Sequence, residues 1–586
     1  MNIRMHEYIR VIVLCGCAAL IGGCAGTGVV MREPPQKVYP DSTPPDAPLV
    51  LAIPGLWIPG TQVTQEQQFG RLVEMLAREG IPSRIVAYDT AENPLPKEAD
   101  IFSPDLAIAW TRVGPGIVRE VKIENERRGT IGLPPVKKIV LIGASQGGVI
   151  MEQIARRVFY EFPKQVEKVL TRQGVEWDAI RNDPQFTSFI EALEDFLVIK
   201  NIRVQREKGF MRDYELRHFY ARSEKRVRAR FDGLLQYLID PSVKYPDVPE
   251  FEEPGSPKYP KKYHTLKDWA VGLSARSPED REEMRQFFVN YAEYRDLLGV
   301  TPYFFSAAGS FFGSPRANEA YSPYRWRPLL KLFAGRELNQ IMQTQLGTSH
   351  HMESIEDLVR LSKDARYPIA PPTTLFVVGA NGSGGDGIID QSSAHLSDHS
   401  YTLIRVEEPP GADGAVTLTM LEETRLPDLV VVPLPIVHYP ATALQLMEGA
   451  RYGAAYMEPG NPVFPCLLSF IRDDWRTIHD RIEQNHISLR QFMLELAFPG
   501  EKGLNRKVRQ VGRSRNVRVD GLYYNPDSNT VVWTGHFSGP GQEMILDGAE
   551  TVSGTMRLDL ELDGHGKVPL ACTVYPGCNS FVKLTR

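Results

Sequence analysis

Residues 143–147 read Gly-Ala-Ser-Gln-Gly, directly after the apolar run Lys137 to Ile142 and before a second apolar run of helical spacing, Val149 to Phe162. A serine flanked by glycines in this way carries weight only between a strand and a helix, and here it stands between both. The glycines let the chain reverse sharply and let neighbouring backbone come close. The serine hydroxyl is then held at the edge of a sheet, above a helix N-terminus. Such a hydroxyl attacks a carbonyl once a base takes its proton. Ser145 is therefore the candidate nucleophile, and the segment demands a strand–turn–helix unit.

The rest of the chain supplies companions for that unit. Pro48 to Ile53 and Ser83 to Tyr88 are short apolar strand candidates, and Glu66 to Glu79 and Leu106 to Asn125 have helical spacing. Strict alternation of strands and helices implies parallel pairing and a sheet covered on both faces, an α/β architecture. The alternation stops from about Pro163 to Gly299, a charged, aromatic, helix-like stretch that reads as an insertion. It resumes with the strand candidates Tyr303 to Ala308, Thr374 to Val378 and Leu429 to Leu434. Phe464 to Phe498 reads as helical. Beyond it, Arg518 to Tyr524 and Thr530 to His536 flank the turn Asn525-Pro526-Asp527, so a small all-β domain is expected from roughly 505 to 586. The α/β domain is expected over 48–500, with its insertion at about 163–299. A chain of 586 residues, 42% of them hydrophobic, is long enough for more than one such unit.

The first residues have the composition of an export signal. Arg4 and Arg10 precede the apolar stretch Val11 to Ile21, too short to span a bilayer comfortably, and small residues follow. Ile21-Gly22-Gly23-Cys24 resembles the lipobox of bacterial lipoproteins. That resemblance implies cleavage after residue 23, a lipid on Cys24 and, with Ala25 rather than aspartate next, an outer-membrane address in the bacterial cell envelope; the alternative is an ordinary signal with an incidental cysteine. Residues 24–47, with five prolines, read as a tether. Removing the signal leaves Cys24, Cys466, Cys572 and Cys578. In an oxidising compartment Cys572 and Cys578 suit a small disulfide, while Cys466, in the apolar stretch Phe464 to Ile471, reads as a buried thiol. A net charge of −5 and the lack of zinc-type Cys/His spacing exclude a nucleic-acid binder of the usual basic kind, and no metal or other cofactor is expected.

Residues from about 48 to 460 resemble an α/β-hydrolase, nearest to bacterial lipases and esterases, and the Gly-Ala-Ser-Gln-Gly-Gly turn is also similar to that of acyl-thioesterases. Ile53-Pro54-Gly55-Leu56 resembles the His-Gly-x segment of lipases with proline in place of histidine, which implies the backbone N–H groups of Leu56 and Gln146 as oxyanion donors. Gly309 to Ser314 resembles a structural turn of the same enzymes. Gly385-Asp386-Gly387-Ile388-Ile389, followed by Ser392-Ser393-Ala394-His395-Leu396, resembles the lipase segment that carries the acid, which implies Asp386 in that role, with Asp390 and Asp398 as neighbours able to substitute and a plain turn aspartate as the bland reading. Seven histidines follow Asp386, and the one just beyond the last strand candidate is His438, the expected base. The order Ser, Asp, His suits this fold. About fifty residues separate Asp386 from His438, a gap that Tyr401 to Glu407 and Ala415 to Glu422 fill as an inserted hairpin.

The resemblance thus implies hydrolysis of an ester or lipid-like small molecule through an acyl-enzyme. Acyl transfer or amide or thioester cleavage by the same triad is an alternative, as is a non-catalytic surface-binding scaffold. Within the insertion, Lys200 to Arg230 holds eleven Lys or Arg against four Asp or Glu, with Phe210, Tyr214, Phe219 and Tyr220 interleaved. That stretch reads either as a solvated helical face or as a surface for anionic head groups.

Overall fold

The computed structural model describes residues 39–55, 69–88, 108–159, 294–320, 373–407, 417–436, 461–497 and most of 507–585, apart from short gaps within them, and single positions between 346 and 363. The insertion around 163–293, the N-terminal signal, Cys24 and the tether up to residue 38 lie outside the described residues. The chain divides into two compact units. One holds residues 1–87, 138–151 and 302–586, and the other holds residues 88–137 and 152–301.

The first unit is organised by six parallel strands: β1 (Leu49–Ile53), β2 (Ser83–Ile85), β3 (Lys138–Ala144), β4 (Thr301–Ala307), β5 (Thr374–Gly379) and β8 (Val430–Leu434), in the order β2-β1-β3-β4-β5-β8. Their sequences are apolar at successive positions, not at alternate ones, because both faces of the sheet are covered. On one face Val50, Ala52, Val140, Ile142, Phe305, Leu375 and Val377 pack with residues of α1 (Gly70–Arg78), α5 (Val463–Ile471) and α6 (Trp475–Gln484). The alternate residues Leu49, Leu51, Ile53, Ile139 and Leu141 are just as inaccessible. Pro433 is tolerated within β8 because that strand is the sheet's edge. This is the α/β-hydrolase arrangement expected from the sequence, with α3 (Gln146–Ile154) following β3 and the short α4 (Pro315–Ala320) following β4.

The helical reading of Phe464 to Phe498 is corrected by the structure. The stretch breaks at Asp473, whose φ is 57°. Asp474 then caps α6, its Oδ1 accepting the Thr477 N–H at 3.2 Å. Hydrogen bonds from Thr477 hold its carboxyl below the usual range. Gln491–Ala497 is a strand, β9. It belongs to a second six-stranded sheet of order β11-β12-β9-β15-β6-β7, built from β6 (Ser400–Glu407), β7 (Thr417–Arg425), β11 (Val517–Asn525), β12 (Thr530–Phe537) and β15 (Asn579–Thr585). The β6–β7 pair is the inserted hairpin anticipated between the candidate acid and base. The β structure expected from residue 505 onward therefore begins at Gln491 and also recruits strands some ninety residues upstream. A separate sheet of three strands joins β10 (Lys507–Gln510), β13 (Thr555–Leu562) and β14 (Gly566–Thr573). Cys572 lies on β14, whereas Cys578 and hence their pairing lie outside the described residues. Cys466 is a buried free thiol, pushed up to about 12 by burial against a smaller opposing pull from Arg481.

In the second unit α2 (Gly114–Thr130) follows a single π turn, Ala109–Val113. Leu106, where the helix was expected to begin, lies outside the described residues; Gly114 leaves room for Tyr294, whose hydroxyl a side chain there would meet at 2.9 Å. The helix buries Glu124 against Arg127 and Arg128, at 2.7 and 3.2 Å. No described helix is long and apolar enough to cross a membrane.

Candidate active site

At the end of β3 the chain reverses on Ser145, a non-glycine residue at φ 53°. A left-handed backbone costs an ordinary residue about 1–2 kcal/mol and persists only where the surroundings impose it. The surroundings here are backbone. A methyl on Gly143 would stand 2.6 Å from the Gly147 carbonyl oxygen, and one on Gly147 would stand 2.1 Å from that of Ile53 and 2.7 Å from that of Pro54. The Ser145 N–H donates to the Ala307 carbonyl at 3.2 Å, and its own carbonyl accepts from Gly148 at 3.0 Å and Ser310 at 3.3 Å. From Ile139 to Met151 every residue is buried except Ser145, which is part-exposed. The fold thus presents one hydroxyl and conceals its neighbours.

Of the two expected oxyanion donors, Gln146 is fully buried at the start of α3, while Leu56 lies outside the described residues. The segment leading to Leu56 does lie against the turn. A side chain on Gly55 would meet the Ala144 carbonyl at 2.9 Å and the Ser145 Cβ at 3.1 Å.

Asp386 is buried in a tight hairpin closed by a bridge between Gly385 and Asp390. Its Oδ1 accepts the N–H groups of Ile388 at 3.0 Å and Ile389 at 2.7 Å, and its own N–H donates to the Ile389 carbonyl at 3.2 Å. This is a turn aspartate in its hydrogen bonding, and it is also placed at a strand end. The absent side chain of Gly379, the last residue of β5, would come within 2.5–2.7 Å of Asp386 backbone and Cβ atoms. Asp390 is part-buried as the other half of the bridge, and Asp398 lies outside the described residues.

His438 lies outside the described residues as well. The chain leads towards it from β8, where Gly379 pairs with Leu434, and the Ala380 N–H donates to the Leu434 carbonyl at 2.8 Å. The strand that ends at Asp386's neighbour and the strand that leads to His438 are thus adjacent. Two other histidines are packing residues. His395 and His399 are buried, with ring centroids 6.0 Å apart, His395 Nδ1 accepts the Ser397 N–H at 3.2 Å, and His399 meets Phe312 edge-on at 4.7 Å.

The loop Gly309–Ser314 joins the two halves of the site, the structural role its sequence suggested. While Ser310 holds the Ser145 carbonyl, Phe311 donates to the Ser393 carbonyl at 3.0 Å and Ser314 Oγ donates to the Ile388 carbonyl at 2.6 Å. Ser393 Oγ donates in turn to the Gly313 carbonyl. Gly379 and Gln391 were not singled out by the sequence, and Ser393 enters there only as part of the segment after Asp386; the glycine closing β5 immediately before the acid hairpin was the available signal.

No family model and no curated protein matches the chain. Among solved structures, the chain is similar to phospholipase PlaB from Legionella pneumophila over 92% of this chain and 93% of that one, at 8% identity and a TM-score of 0.43. It is similar to lipase BlEst2 from Bacillus licheniformis in its mature form over 62% and 87% of the two chains, at 10% identity and a TM-score of 0.23. The propeptide form of that lipase gives 92% and 96%, at 9% identity and 0.27. The fold assignment rests on the strand order and on the turn at Ser145.

Proposed function

We propose that the protein is a serine hydrolase of carboxylic esters, lipase- or esterase-like, with Ser145 as nucleophile, His438 as base and Asp386 as acid. The observation that carries this reading is the strained turn: a left-handed, part-exposed serine at the end of a parallel strand, fixed by backbone on every side and joined through Gly309–Ser314 to the hairpin of a buried aspartate. In the proposed reaction His438 takes the Ser145 proton as Oγ attacks the acyl carbonyl. The N–H groups of Leu56 and Gln146 stabilise the oxyanion, the alcohol leaves with a proton from His438, and water releases the acyl group by the same route in reverse. Asp386 holds the imidazole tautomer and the imidazolium charge. Lipidation of Cys24 and residence at the bacterial outer membrane complete the proposal, on the strength of the lipobox-like segment.

The test is fluorophosphonate labelling and p-nitrophenyl ester hydrolysis by the wild type and Ser145→Ala, across short and long acyl chains. The substitution is expected to abolish labelling and to lower turnover by about 10⁴-fold or more. A folded wild type that neither labels nor turns over refutes the reading, and the chain-length profile separates esterase from lipase.

A further inference from the structure

We infer that Asn579, on the strand β15 and nearly two hundred residues from the acid hairpin, is a positioning residue for Asp386, an inference that rests on the hydrolase reading above. The hairpin continues into one tight turn, Gln391–Ser393, and its three successive residues are fastened to three different elements. Gln391 Nε2 donates to the Gly379 carbonyl at the end of β5, at 2.7 Å. Ser393 is fastened to the Gly309–Ser314 loop by its carbonyl and its hydroxyl. Ser392, between them, offers its carbonyl to Asn579 Nδ2. The turn is tied back to the hairpin by the Ser393 N–H, which donates to the Asp390 carbonyl at 3.0 Å, and Asp390 bridges Gly385 next to the acid. Two attachments leave a turn free to pivot about the line joining them. A third, off that line, fixes it.

Asn579 is equipped for this. It is fully buried, and its side-chain oxygen has no hydrogen-bond partner among the described residues, so the amide is oriented by the one carbonyl it serves. Its backbone is held in register: Asn579 pairs with Met493 on β9, and Ser580 pairs with Leu494 on β9 and with Ser400 on β6. Beside it, Phe581 packs on Phe312 at 5.0 Å and His399 at 5.8 Å, so that β15 reaches the acid hairpin and the loop under Ser145 together.

The experiment compares Asn579→Ala, Asn579→Leu and Ser580→Ala in the full chain, with p-nitrophenyl butyrate as the probe. Leucine fills the volume of the asparagine without donating, which separates the lost bond from a cavity. Ser580 is as buried and its Oγ bonds Ser400 Oγ at 3.1 Å, and it makes no hydrogen bond to the turn among the described residues. Both Asn579 variants are expected to lose about tenfold in kcat with KM within about twofold, because small displacements of a catalytic group are costly. The ascending limb of kcat/KM against pH is expected to move down by about half a pH unit, since a carboxylate held less closely to the imidazolium raises its pKa less. Ser580→Ala should keep the wild-type limb. Asn579 variants with wild-type kcat and limb, a lowered melting temperature without a limb shift, a limb shift equal in Ser580→Ala, or failure of both Asn579 variants to fold would each overturn the inference. Should the wild type itself fail to label with fluorophosphonate, the hydrolase reading falls and takes this inference with it; a labelled wild type beside neutral Asn579 variants sinks the inference alone.

Discussion

In the parallel sheet β1 and β5 are buried at every position and β3 at every position but Lys138, whereas β7, at the rim of the second sheet, has no buried residue. Burial on both faces is what lets the first sheet hold Ser145 in a conformation it would not adopt alone, because no neighbour has room to yield. The second sheet is covered on both faces along its central strands, Met493 to Leu496 and Asn579 to Val582, and opens to solvent only at its β7 rim; it reaches the candidate site through the residues at the start of β15. The strained turn belongs to the parallel sheet, and the buried centre of the second sheet, not its open rim, contributes a brace.

Four changes sharpen or break that contrast. The largest effect is expected for Gly147→Ala, whose methyl meets two carbonyl oxygens of β1 and the residue after it at 2.1 and 2.7 Å. Backbone on both sides should leave little or no folded protein by circular dichroism, and a wild-type melt would show the elbow to be far softer than described. Phe581→Ala, in the second sheet but packed on Phe312 and His399, should cost about 3–5 kcal/mol in chemical denaturation, as for any large aromatic removed from a core. A cost below about 1 kcal/mol would detach that sheet from the acid hairpin.

Tyr401→Phe probes the same junction by pH. The Tyr401 phenol is pushed up to about 12, first by burial and then by the carboxylates of Glu356 and Glu422. Its raised folded value means that its contribution is present below the unfolded value of about 10 and is lost as pH climbs from there to about 12. Stability of the wild type should fall faster than that of the phenylalanine variant over that window, and parallel curves would refute the assignment. Met420→Ser, on the open face of β7, should change stability by no more than about 0.5 kcal/mol, and a larger loss would mean that this face is covered.

The parallel sheet was legible because a strand with both faces buried writes itself as an uninterrupted apolar run, as in Leu49 to Ile53 or Ile139 to Ile142. β9 was not. Gln491-Phe-Met-Leu-Glu-Leu-Ala497 is rich in strong helix formers, and only pairing with β12 and β15 makes it extended, a case of tertiary context overriding local preference. The same division holds in the candidate site. Ser145 announces itself through local turn chemistry and Asp386 through the resemblance of its segment to that of lipases, while nothing near Asn579 in sequence hints at Ser392, 187 residues away. Contacts of that span leave no periodic trace.

β15 lies between β6 and β9 and pairs parallel with each. A ribosome delivers β6, then β9, and only after some eighty further residues the strand that belongs between them. The chain therefore has to keep that slot open, or reopen it, and until then the turn after the acid hairpin lacks its bond from Asn579. Order of delivery becomes a timer, whichever compartment the chain folds in, and with the bracing inferred for Asn579 the acid hairpin gains its third attachment only when residues 579–585 arrive.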